Sequence, residues 1–166
     1  MRADLDTARY VHFLRKLYGV VAAWEEQAPS LSPDWLRALL VARTRKPLLE
    51  SDLAWFHISA PQDRATLPFI NDLPSLLGAM YVMEGSTLGG QIIARHVQVA
   101  LSLVQGNGDA FLRGHGSQTG PLWKEFCEML KTQVPNDETD RVIASAKAMF
   151  TTFGEWMQEK SVLDDR

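Results

Sequence analysis

The feature that most constrains the fold is a long apolar segment, residues 73–104, that reads as one helix yet carries three glycines within six residues. They lie in Glu84-Gly85-Ser86-Thr87-Leu88-Gly89-Gly90-Gln91, and no proline marks a turn there. Each glycine costs a helix roughly 1 kcal/mol relative to alanine. Three uses would offset that cost. A missing side chain lets another backbone pack close, a glycine-rich loop cradles a phosphate, or bare backbone lies on a flat ligand where the helix bends. The phosphate loop needs a strand before it, and none is predicted. Close packing and the flat ligand stay open.

The remaining segments are helical too. Residues 6–27 place Tyr10, Phe13, Leu14, Leu17, Val20, Val21 and Trp24 at spacings of three and four, a single apolar stripe that Pro29 is expected to end. Ser32 is expected to cap a second helix with Pro33 at its first position, running to about Arg45. A shorter helix spans 48–57, and 59–71 is loop. Asp72 caps the long helix with Pro74 in its first turn, and Gly106-Asn107-Gly108 stops it. A glycine-rich loop reaches Gly120, a helix follows over 121–133, and Pro135-Asn136 opens the last one. There Val142, Ala146, Met149, Phe150, Phe153 and Met157 are expected to share a face. No stretch has a period of two. The fold class is all-α, a bundle of five or six helices.

With 166 residues and neither repeats nor low-complexity tracts, residues 1–166 form a single domain. A net charge of -3 argues against nucleic-acid binding. Cys127 stands alone, which excludes an intramolecular disulfide, and it is expected to be a buried small apolar residue. Alternating charges at the N-terminus are not those of a secretion signal, and no apolar run is long enough to span a membrane, so the cytoplasm is the expected compartment. Five tryptophans, at 24, 35, 55, 123 and 156, read as core fillers at helix contacts. Arg43, Arg45 and Lys46 read as a solvated helix end, Glu25-Glu26 as a surface pair, and Asp137-Glu138 as helix N-terminal charge. No carboxylate dyad and no Glu-x-x-His pairing for a di-iron site is present.

The run "LLGAMYVMEGSTLGGQIIARHV" resembles the distal helix of heme oxygenases, whose hallmark is Gly-Asp-x-x-Gly-Gly-Gln or a close variant. Its Gly-Ser-Thr-Leu-Gly-Gly form is most similar to the bacterial branch found beside bacteriophytochromes. "YVHFLRKLYGVVAAWEE" resembles that family's second helix, "LLESDLAWF" its "L..DL.ff" segment, and "VIASAKAMFTTFGEWM" its last helix, so the resemblance spans residues 6–160. It implies a heme-oxygenase-like helical bundle. The implied reaction is oxidative opening of heme to biliverdin, iron and carbon monoxide, with heme as both substrate and cofactor and an external electron donor. It implies that Gly85, Gly89 and Gly90 are the distal backbone against the ring, that Phe150 packs beside it, that Phe153 stands where other members carry a polar contact, and that Lys124 faces a propionate.

Two positions depart from the family pattern. Ser86 stands where many members carry the aspartate of the distal proton-delivering water network; its hydroxyl can join such a network without supplying a charge. Only nine residues precede Tyr10, so the family's first helix, with its proximal histidine, is expected to be absent. His12 and His96 are then the weak candidates for an iron ligand, ahead of His57 and His115, while Met80 and Met83 read as core. An apolar strip uncovered by a missing helix would favour self-association. The alternative to catalysis is a non-catalytic relative that binds a tetrapyrrole, another apolar ligand or a protein.

Overall fold

The computed structural model describes residues 5–159. Seven α-helices, and no strand, occur among the described residues. They are α1 (Thr7–Leu31), α2 (Asp34–Ala42), α3 (Lys46–Trp55), α4 (Leu73–Leu101), α5 (Ala110–Arg113), α6 (Thr119–Gln133) and α7 (Thr139–Gln158). Single 3-10 turns, Gly116–Gln118 and Asn136–Glu138, lead into α6 and α7. The all-α reading holds, and α5 is the helix it lacked, hidden in the glycine-rich loop. No helix among the described residues is long and apolar enough to cross a membrane.

Pro29 does not end α1, which continues to Leu31. So close to a C-terminus, a missing N–H removes a single bond. Ser30 and Ser32 donate their hydroxyls to the Gln27 and Ala28 carbonyls, at 2.8 and 2.6 Å, and satisfy groups the last turn leaves open. Ser32 therefore closes α1 and does not cap α2, whose preceding residue is Pro33. The start of α4 is as expected: Asp72 accepts from Ser75 N–H at 3.0 Å, Ser75 Oγ accepts from Asp72 N–H at 3.0 Å, and Pro74 occupies the first turn. From there α4 runs unbroken through all three glycines of the motif.

The longest packing seam is α7 along α4. It closes at Gly78, where a Cβ would overlap the Val142 carbonyl oxygen and stand 2.8 Å from Ser145 Cβ. Ser145 Oγ donates to the Ser75 carbonyl at 2.6 Å just above that crossing. Sequence reasoning overlooked Gly78, because nothing local separates a crossing glycine from a tolerated one. The expected shared face of α7 is corrected as well. Met149 is fully buried and Phe150 is 74% exposed. Neighbours on a helix point about 100° apart, so a face centred on one excludes the other.

The stripe of α1 is the centre of the core, with Tyr10, Leu14, Val20 and Val21 buried against Leu49, Leu53, Leu76 and Met80. Tryptophans divide between two settings. Trp24 is buried, Trp123 and Trp156 are half-buried, and Trp35 and Trp55 are exposed, so only some fill the core. Cys127 is half-buried, and desolvation pushes its thiol up.

Two long-range contacts pin the loop between α4 and α6. Tyr10 Oη donates to the Gly108 carbonyl at 2.8 Å. Asp52, from the "LLESDLAWF" segment, has no exposed surface and accepts from the Ala110 and Phe111 N–H groups, both at 2.8 Å. Its carboxylate occupies the N-terminal end of α5, where unpaired N–H groups need an acceptor. Burial nevertheless raises this carboxyl to about 6, against the pull of those two hydrogen bonds. By holding α5, Asp52 sets the position of Phe111 and Leu112.

Candidate functional site

A cavity of about 390 Å³ lies between α1 and α4. That is within the ordinary range for small-molecule sites. Three helices supply its walls at helical spacing: Phe13, Leu17 and Val21 from α1, Met83, Ser86, Gly89, Gly90 and Ile93 from α4, and Phe153 and Met157 from α7. Phe111 and Leu112 of α5 close it together with Arg45, from the link between α2 and α3. All of the lining is apolar apart from Ser86, Arg45 and the bare glycine backbone.

The glycines divide their work. A Cβ on Gly89 would meet nothing within 4 Å, so its exposed backbone is an uncovered patch at the cavity rim. Gly90 also lines the cavity, but a Cβ there would stand 2.7 Å from the Leu112 carbonyl oxygen, so it is needed for the approach of α5. Gly85 is turned elsewhere, where a Cβ would touch the Trp123 ring of α6 at 3.4 Å. Close packing therefore accounts for Gly90, while Gly89 is left bare.

The polar end of the cavity overturns the reading of Arg43 and Arg45 as a solvated helix end. They are 7% and 4% exposed. Arg43 Nη1 donates to Glu84 Oε2 at 3.1 Å and Nη2 to the Leu122 carbonyl at 3.4 Å, tying the α2–α3 link to α4 and α6. Burial raises the Glu84 carboxyl, with Arg43 and then Arg45 pulling it down. Arg45 Nη2 donates to the Met83 carbonyl at 2.9 Å and to Ser86 Oγ at 3.3 Å, and the guanidinium lies 4.6 Å from the centre of the Phe111 ring. Ser86 Oγ in turn donates to the Met83 carbonyl at 2.7 Å. Glu25 is no mere surface charge. Its carboxylate accepts from the Arg45 N–H at 2.7 Å and the Lys46 N–H at 3.1 Å, capping α3. Glu26 does pair at the surface, with Arg64 at 3.1 Å and Lys46 at 3.4 Å.

A heme oxygenase family model matches residues 1–159. The chain belongs to the heme oxygenase family. It is 30% identical over 157 residues to a heme oxygenase of Xanthomonas campestris pv. campestris, an alignment covering 92% of this chain and 90% of that one. Its fold matches the NO- and CO-bound heme oxygenase of Neisseria meningitidis with a TM-score of 0.80, at 19% identity, over 93% of this chain and 77% of the other.

Heme oxygenase membership makes heme the group to test against these walls. Bare backbone at Gly89 and the surrounding apolar side chains fit the face of a flat macrocycle, and Ser86 with Arg45 gives that face one polar edge. An iron ligand is a different matter. His12, half-buried on α1, and His96, exposed on α4, are not on the cavity wall. Neither is exposed His57, nor His115, whose imidazole is held below its ordinary value by burial and then by Arg45 and Arg43. The lining offers only the thioethers of Met83 and Met157 as soft donors, whereas Met80 is core. Of the residues expected to face the ring, Ser86, Gly89, Gly90 and Phe153 are together on the wall. Gly85, exposed Phe150 and exposed Lys124 are not among them.

Sequence reasoning missed Arg45, Phe111 and Leu112. The apolar stripe of α1 and the spacing of Phe153 and Met157 did mark their walls. Arg45 offered no local signal, because its partners lie 38 and 41 residues further along the chain.

Proposed function

We propose that this chain binds heme against the Ser86–Gly89 face of α4 and opens it oxidatively to biliverdin, iron and carbon monoxide, drawing electrons from an external donor. What carries the reading is the uncovered backbone at Gly89, beside an apolar cavity whose only side-chain polar groups are Ser86 and Arg45. Bound heme supplies the oxygen chemistry itself. The chain supplies the surroundings. Phe13, Leu17, Val21 and Phe153 keep water from the cavity, and glycine lets a flat ring lie directly on the helix. The Ser86 hydroxyl, committed to Met83 as donor and to Arg45 as acceptor, keeps one lone pair to hold an ordered water for proton delivery. By the family pattern Gly90 is assigned to the ring's surroundings and Lys124 to a propionate, whereas Gly85, against Trp123, and exposed Phe150 are turned away from the cavity wall. On the resemblance of its Gly-Ser-Thr-Leu-Gly-Gly motif, we assign the chain to the branch found beside bacteriophytochromes, with residues 1–166 as one domain.

A second reading is tetrapyrrole binding without turnover. It is favoured by one observation: none of the four histidines reaches the cavity wall. Hemin is added to the purified protein, followed by ascorbate in air. A Soret band that gives way to biliverdin supports catalysis. A band that persists without biliverdin supports binding alone, and no band at all ends both readings.

A further inference from the structure

Arg45 is a buried cation without a counter-charge in contact. Its guanidinium stays protonated at any working pH, and burying such a charge is costly unless it is paired. Neighbouring Arg43 meets that condition, with Glu84 at 3.1 Å. Among the described residues no carboxylate lies within 4.0 Å of the Arg45 guanidinium. The two nearby acids are committed elsewhere, Glu84 to Arg43 and Glu25 to the backbone N–H groups of Arg45 and Lys46. Both hydrogen bonds of the Arg45 side chain leave from Nη2, to the neutral oxygens of Met83 and Ser86. Among fully enclosed side-chain nitrogens and oxygens of the described residues, His115 Nε2 is the one without a partner. Nε and Nη1 of Arg45 have no hydrogen-bond partner among the described residues, and the residue lines open space. That space is the cavity of about 390 Å³ on one side and a smaller one of about 170 Å³, bounded by Trp24, Met80 and Glu84, on the other.

We propose that Arg45 makes the inner end of the larger cavity a binding subsite for a small monoanion, held by the guanidinium charge beside Ser86. The walls decide the class of anion. Apolar side chains surround the site, so a strongly hydrated dianion is excluded by desolvation, and a compact, weakly hydrated anion such as azide is accepted. Nε–H and Nη1–H leave different edges of the guanidinium, so the anion takes a single charge-assisted hydrogen bond from Arg45.

This inference goes beyond the heme reading and is tested without heme. Azide is titrated into hemin-free protein while the backbone amides of Ser86 and Phe111 are followed by ¹⁵N NMR, in wild type, Arg45→Met and Arg45→Lys. Wild type is expected to show saturable shifts at both amides. Arg45→Met is expected to bind at least about tenfold more weakly, and Arg45→Lys to fall between them, keeping the charge but not the planar, weakly hydrated guanidinium. Shifts that grow linearly with azide in wild type overturn the proposal whatever the variants do, as does equal saturation in Arg45→Met. A protein that fails to give a Soret band with hemin loses its heme reading and leaves this result untouched.

Discussion

The carbonyl oxygen of Leu112 stands 2.7 Å from the point a Cβ on Gly90 would occupy. A backbone carbonyl anchored by α5 cannot yield as a flexible side chain does, so Gly90→Ala is expected to destabilise by about 1–3 kcal/mol through overpacking. Gly89→Ala has open space around it and removes a helix glycine, so it is expected to stabilise by about 0.5–1 kcal/mol. Urea denaturation of the two variants checks the contrast. Similar shifts in the same direction would contradict the division of labour within the motif.

The buried Arg43–Glu84 pair, at 3.1 Å, joins the α2–α3 link to α4. Arg43→Met leaves a buried carboxylate alone and is expected to cost about 3–5 kcal/mol at neutral pH. Replacing Glu84 with methionine as well should recover most of that loss. The second contact of Arg43, at 3.7 Å, is with an exposed Glu125 and adds little. A double-mutant cycle in urea measures the coupling, and additive single effects would rule out a functional pair.

Asp52 gives the fold a pH dependence of definite sign. Burial holds its carboxyl at about 6 when folded, against 3.8 ordinarily. Between about pH 4 and 6 the folded chain retains a proton that the unfolded chain has released, so this group's contribution to stability falls as pH rises through that window. The size is about 2–3 kcal/mol. Asp52→Asn cannot titrate, so the stability of wild type relative to this variant should decline from pH 4 to 6.5 in urea titrations. A flat or rising difference would show that the carboxyl is not held protonated.

What could be read from the chain follows the range of the interactions. Asp72 and Pro74 announce the start of α4 because capping acts over three residues. The α1 stripe announces a cavity wall because periodicity is local too. Pro29 misleads, since its cost depends on how far the helix continues and on two serines that cover for it. Phe150 misleads because an apolar residue one step from Met149 fits the same pattern and yet points away. Gly78, Gly90, Arg43 and Arg45 are set by partners in distant segments, which no local pattern shows. Within the motif, the sequence could not say which glycine packs and which stays bare.

A flat ring seated on the bare backbone at Gly89 would be displaced by the side chain of a Gly89→Leu variant. Its Cβ would meet no atom within 4 Å, Gly89 is exposed and leucine improves helix propensity, so the apoprotein should be at least as stable as wild type. Hemin titration followed at the Soret band should saturate at one equivalent in wild type and weaken at least about tenfold in Gly89→Leu. Equal hemin affinity in the two proteins would place the ring elsewhere and contradict the account.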